Sequence, residues 1–207
     1  MKTIALVAFD HFTDIDLFLM WDILGRNRHD WNVRILGMKH ELVSAHGLRV
    51  DTHGPLADAN RADVVLFSSG KEGVPAAIAD DAFLGAFRLD PSRQLIGSIC
   101  AGAFILDALG LLPERRATTH PEARTALRAA GVEPDDRPFV SHGNVATAGG
   151  CLAATYLVGW CVERLFGAEK RWQTLRPVLP AGQYDVYEQL IAASIAQGIG
   201  GGGAVAV

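Results

Sequence analysis

Three stretches of the chain carry apolar residues without alternation: "TIALVAF" (3–9), the first half of "DVVLFSSG" (63–70) and the centre of "RQLIGSIC" (93–100). A strand with one wet face alternates polar and apolar residues, whereas a strand without alternation is buried on both faces. Helical patterns separate these runs, and helices packed on either side of a sheet supply that burial. The fold expected is α/β, a mostly parallel sheet with helices on both faces. In such a sheet, binding and chemistry belong at the carboxyl ends of the strands.

The remaining elements follow from the same patterns. "WNVRILGM" (31–38) predicts a further strand, "ELVSAHGLRVDTH" (41–53) one or two short ones around Gly47, and "RRATTH" (115–120) another. "PFVSHGNVATAGG" (138–150) predicts two short strands joined as a hairpin at His142-Gly143-Asn144. Helices are expected at "IDLFLMWDIL" (15–24), at "VPAAIADDAFLGAFRL" (74–89) with Pro75 in its first turn, and at "AGAFILDALGLL" after Cys100. Others are expected at "PEARTALRAAG", opened by Pro121, at "CLAATYLVGWCVERLFG" (151–167), and around 169–176 and 184–197. No repeat or linker divides the chain, so residues 1–197 are expected to form one domain and the glycine-rich stretch 198–207 a flexible tail.

Several function classes are excluded at this level. The formal net charge is −4 and no block of lysine or arginine appears, which disfavours a nucleic-acid partner. No run approaches the roughly 20 apolar residues of a membrane helix. "MKTIALVAFD" stops at Asp10 without a small-residue cleavage site, so it reads as a first strand rather than a signal peptide, and a cytoplasmic location is expected. Three cysteines without a C-x-x-C pair argue against a disulfide framework, and His, Asp and Cys lie without metal-ligand spacing, so no metal is expected. The glycine-rich nucleotide-binding patterns are absent from the sequence.

Cys100 stands where a strand ends and a helix begins, between "LIGSI" and "AGA". Small residues there permit a tight turn of the kind that presents the serine of many hydrolases. On that reading the sulfur is raised toward solvent near a helix N-terminus, where thiolate is favoured, and the Ala101 N–H faces an anion formed on a substrate. A small core residue explains the same string equally well, because buried cysteines are common. Cys151 and Cys161, in or beside a very apolar helical run, read as packing residues, although Cys151 follows Gly149-Gly150 and lies near enough to a strand end to approach a site.

The segment "SICAGAFILDALGLLPERRATTHPEARTAL", followed by "GNVATAGG", resembles the ThiJ/PfpI superfamily over roughly residues 3–170, and within it the isonitrile hydratase-like branch. The resemblance implies a flavodoxin-like three-layer sandwich with a nucleophilic cysteine, Cys100, on a strand–helix elbow. It also implies a carboxylate partner at Asp16, preferred over Asp14 for its spacing from Phe9, and a backbone N–H donor at Gly70. Where relatives carry Pro-Gly-Gly, this chain has Ser68-Ser69-Gly70, so the Ser69 side chain joins the substrate-binding surface. Ala101 replaces a common threonine, and Phe18-Leu19-Met20 replaces a common Thr-Gly-Pro. His120, in "ATTHPEA", is placed near the pocket by the same resemblance, and His142 reads as a turn residue.

The activity implied is hydration of an organic isonitrile to an N-substituted formamide, without a cofactor, on a small electrophilic substrate. Alternatives of the same ancestry are a glyoxalase, deglycase or amidase-like cysteine enzyme, and a non-catalytic ligand or redox sensor. Homodimerisation is implied by the family, with Trp21 on the first helix a candidate contact.

Overall fold

The computed structural model describes residues 1–199. The chain opens with β1 (Lys2–Val7), α1 (Asp14–Gly25) and β2 (Trp31–Gly37), then the hairpin of β3 (Glu41–Val43) and β4 (Arg49–Asp51), and the short β5 (Gly54–Pro55). β6 (Val64–Phe67) leads to two short helices, α2 (Gly73–Ile78) and α3 (Asp81–Gly85), and β7 (Leu95–Ile99) leads through a 3-10 turn to α4 (Ala103–Ala108). β8 (Arg116–Ala117), α5 (Arg124–Ala129) and β9 (Glu133–Pro134) precede β10 (Phe139–His142) and β11 (Val145–Ala148). Helices α6 (Ala154–Phe166), α7 (Ala168–Leu175) and α8 (Tyr184–Gly198) follow.

Seven strands form one sheet in the order β10-β11-β7-β6-β1-β2-β5. Every neighbouring pair is parallel except β10 and β11, the expected hairpin, which turns at Gly143 with φ of 61°. The chain runs outward from β1 through β2 to β5, then returns to lay β6 on the other side of β1. That reversal opens a crevice at the carboxyl ends of β1 and β6, the usual place for a ligand in an open α/β sheet.

Residue alternation on β7 shows the two covered faces. A Cβ on Gly97 would press against Leu157 of α6, whereas the neighbouring Ser98 side chain faces Gly102 at the start of α4. The fully buried strands β6 and β7 account for the lack of alternation in the sequence. This is the expected flavodoxin-like sandwich.

Three local expectations are corrected. The single helix over 74–89 is two, because the Asp80 carboxylate accepts from the Ala82 and Phe83 N–H groups and caps a new start. The strand at 115–120 shrinks to Arg116–Ala117, after which Thr118 and Thr119 turn inward and are buried. Of the stretch 198–207 expected as a flexible tail, Gly198 ends α8 and Ile199 bridges to Ser141, while 200–207 lie outside the described residues. Among the described residues no helix is long and apolar enough to cross a membrane.

Candidate active site

The segments that leave the carboxyl ends of four neighbouring parallel strands converge in the crevice. They carry Asp16 in the first turn of α1 after β1, Ser69 and Gly70 in the loop after β6, and Cys100 and Cys151 at the start of 3-10 turns after β7 and β11. The register explains the meeting of the two cysteines: Ile99 pairs with Ala148, so the residues following each strand emerge side by side.

Cys100 occupies the elbow with φ of 50°, in the left-handed region that non-glycine residues rarely adopt. The Thr119 hydroxyl donates to the Cys100 carbonyl at 2.9 Å and ties the elbow to the 118–120 loop. Gly102 lets the turn sit against β6, since a Cβ there would lie 2.7 Å from the Ser68 carbonyl oxygen. On the opposite wall, the Thr13 N–H donates to the Ser69 carbonyl at 2.7 Å, joining the start of α1 to the β6 loop. Gly70 packs so closely on the His11 carbonyl that a side chain would collide with it.

These contacts bring the Cys100 Sγ to 3.6 Å from Asp16 Oδ1. Both residues are nearly sealed, at 2% and 1% exposure. The expected elevation of the sulfur toward open solvent is therefore corrected: the elbow aims it at a carboxylate. Burial pushes the Cys100 thiol well up, the Asp16 and Cys151 groups add to that, and the Gly150 N–H works against it. Burial also raises the Asp16 carboxyl, against hydrogen bonds from Cys151, Cys100 and Ser69 and the charge of His120. Burial thus disfavours charge on either group, and a charge on one opposes a charge on the other.

Asp14, the competing carboxylate, points elsewhere, to the Ser44 hydroxyl at 2.7 Å and His46 Nδ1 at 2.6 Å. The Ala101 N–H, expected to face a substrate anion, instead donates to Ser69 Oγ at 3.0 Å. Ser69 therefore ties the loop after β6 to the turn that carries Cys100, and it lines the cavity together with Asp16. His120 lines the cavity, and its Nδ1 accepts from the Glu122 N–H at 3.3 Å. Trp21 is half-buried and stacks on His53 rather than standing free.

The feature the sequence reading undervalued is Cys151, whose Sγ lies 3.9 Å from that of Cys100. Asp16, Cys100 and Cys151 each present one atom within 4.8 Å of the others, a grouping of metal-binding residue types that linear spacing did not reveal. The available signal was positional, a cysteine just past a Gly-Gly at the end of a predicted strand. Cys161 is buried inside α6, as expected of a packing residue.

Above this group opens a cavity of about 590 Å³. Val74, Pro75, Ile78, Phe104 and Ala126 form its apolar wall, and Thr13, Lys71 and Glu122 add polar groups.

The sequence model of the DJ-1/PfpI family matches residues 2–164. An isonitrile hydratase of Pseudomonas putida is 27% identical over 168 residues, 80% of this chain and 73% of its own. A helix-turn-helix-type transcriptional regulator of Rhizobium meliloti is 32% identical over 130 residues, 62% of this chain and 40% of that protein, and a deglycase of Pyrococcus abyssi is 24% identical over 68% of this chain and 86% of its own. Among solved structures, a ThiJ/PfpI family protein from Pseudomonas syringae superposes with a TM-score of 0.77 at 22% identity, covering 95% of this chain and 88% of that one. Drosophila melanogaster DJ-1beta gives 0.75 at 22%, covering 87% and 98%.

Proposed function

The chain belongs to the DJ-1/PfpI family, and we propose that it hydrates an organic isonitrile to an N-substituted formamide with Cys100 as nucleophile and Asp16 as proton carrier. The observation that carries this reading is the 3.6 Å contact between the Cys100 sulfur and the Asp16 carboxylate at the base of the cavity. The likeness to the P. putida hydratase supports the choice of electrophile.

The chemistry follows from the protonation of the pair. The Cys100 proton moves to Asp16, and the thiolate attacks the terminal isonitrile carbon, a soft electrophile suited to sulfur. Asp16 returns that proton to the same carbon, giving a thioimidate. A carboxyl raised by burial is a competent acid for this step and, once ionised, a competent base for the next. It accepts a proton from a water that adds to the carbon. Asp16 passes that proton to nitrogen, and as the C–S bond breaks the adduct's hydroxyl proton goes to the departing sulfur, so the formamide leaves with the thiol regenerated. Ser69 holds the Ala101 N–H, and Ser69 and Gly70 line the cavity beside Asp16 and Cys100, where they bound the space for the reacting atoms. The apolar wall suits an uncharged substituent on the isonitrile nitrogen.

The test is turnover of a small alkyl isonitrile, followed by the formyl proton signal of the product, beside a parallel assay with methylglyoxal. The expected result is formamide production that vanishes in Cys100→Ala and falls about 100-fold or more in Asp16→Asn. Undiminished turnover in Cys100→Ala, or consumption of methylglyoxal alone, overturns the proposal.

A further inference from the structure

The hydratase chemistry leaves Cys151 without a task, although its sulfur is 3.9 Å from the nucleophile and within 4.8 Å of the same carboxylate. It is half-buried, lines the cavity, and follows Gly150 with φ of 91° at the start of a short 3-10 turn. A disulfide requires the sulfurs to close to about 2.05 Å, an approach of roughly 2 Å from their present 3.9 Å separation. Cys161, the third thiol, is sealed in the core.

We propose that Cys100 and Cys151 form a peroxide-reducing dithiol centre, in which Cys100 takes an oxygen from hydrogen peroxide and Cys151 resolves it as an intramolecular disulfide. The cavity admits the small oxidant to Cys100. The Cys100 proton passes to Asp16 as the sulfur attacks one peroxide oxygen. The O–O bond breaks, and the departing hydroxide takes the proton from Asp16 and leaves as water, so that Cys100 becomes a sulfenic acid. The Cys151 sulfur then attacks the Cys100 sulfur, the S–O bond breaks, and the hydroxyl leaves as a second water with the Cys151 proton carried through Asp16. One peroxide and two thiols thus give one disulfide and two waters. A dithiol reductant restores the pair by thiol–disulfide exchange, its own sulfurs becoming the disulfide.

Proximity decides the fate of the sulfenic acid. Without a neighbouring thiol it reacts with further peroxide to sulfinic acid, which ordinary thiols do not reverse. The second cysteine competes with that route in an intramolecular step, where effective concentration is high.

The experiment treats the reduced full-length chain, in EDTA, with a small excess of hydrogen peroxide and reads intact mass, free thiols and the peptide map. Wild type is expected to lose two of its three thiols and about 2 Da, with a Cys100–Cys151 link that dithiothreitol reverses. Cys151→Ser and Cys151→Val, each checked for native circular dichroism, are expected to gain about 32 Da irreversibly. With dithiothreitol present, wild type consumes peroxide repeatedly while both variants stop after a few equivalents. Sulfinic acid in wild type at the rate of the variants, a link to Cys161 or to a second molecule, or no oxidation of Cys100 overturns the proposal. No isonitrile is needed, so failure here leaves the hydratase reading intact, and failure of the hydratase assay leaves this centre intact.

Discussion

Asp14 and Asp16 stand two residues apart on the same helix and meet opposite electrostatic fates. Burial works upward on both, but at Asp14 the Ser44 and His46 partners outweigh it and the carboxyl ends below its ordinary value. At Asp16 burial prevails over the thiols, Ser69 and His120, and the carboxyl is raised above 3.8. A raised acid binds its proton more tightly in the folded chain than in the unfolded one. Stability therefore falls as pH rises from the unfolded value through the folded one, and the ionised group is a net cost above both. Asp16→Asn removes that cost while keeping the shape. Its Tm is expected to exceed that of wild type at pH 8 and to converge on it as the pH is lowered toward about 4, measured by calorimetry across that range. A difference that is constant with pH, or that reverses sign, contradicts a raised Asp16. Gained stability with lost turnover would be the signature of a group retained for chemistry.

The elbow between β7 and α4 shows how an element stores what a residue needs. A non-glycine residue in left-handed conformation costs about 1–2 kcal/mol, and Cys100 bears that cost with its carbonyl held by Thr119 and its turn pressed against β6 through Gly102. Comparison of Cys100→Gly with Cys100→Ala isolates the backbone contribution, since neither carries the sulfur. Glycine is expected to be more stable than alanine by about 1 kcal/mol in urea unfolding. In an ordinary helix or strand the sign would be the reverse. The sequence carried this elbow openly, because apolar "LIGSI" passes straight into small residues. It could not carry the convergence of loops, which depends on strand order: 51 residues separate Cys100 from Cys151, and only the pairing of β7 with β11 joins them. Ser69 was legible as a departure from glycine but not as the acceptor of the Ala101 N–H, which is set by sub-ångström placement of two loops. The break at Asp80 was missed because a side-chain cap interrupts a helix without disturbing its hydrophobic pattern.

At the scale of the whole molecule, the family match ends at residue 164, yet the core does not. Leu175 of α7 and Ile191 and Ile195 of α8 are buried, and Gly159 of α6 is small enough for Leu175, Ile195 and the Arg171 side chain to close over it. Arg171 pairs with Glu163 of α6 and Glu188 of α8, binding three helices at one point. Gly198 packs on the Phe139 carbonyl, and Ile199 bridges to Ser141, so the end of α8 covers the outer strand β10. A sheet edge without such cover offers unpaired backbone groups to other chains. The helical pattern of 169–197 was visible in the sequence, but its pairing with α6 and β10 was not, because a helix period states which face is apolar and not what that face meets. A chain ending at Phe166 would expose these surfaces. Loss of three buried aliphatic side chains alone removes about 5–9 kcal/mol, comparable with the roughly 5–15 kcal/mol that holds a domain together. The truncated chain is expected to lack a cooperative thermal transition and to aggregate, followed by circular dichroism and light scattering beside residues 1–199. A cooperative transition in the truncated chain within a few degrees of the longer one would show that α7 and α8 are an appendage to the sheet, and that one unit over 1–197 is the wrong description.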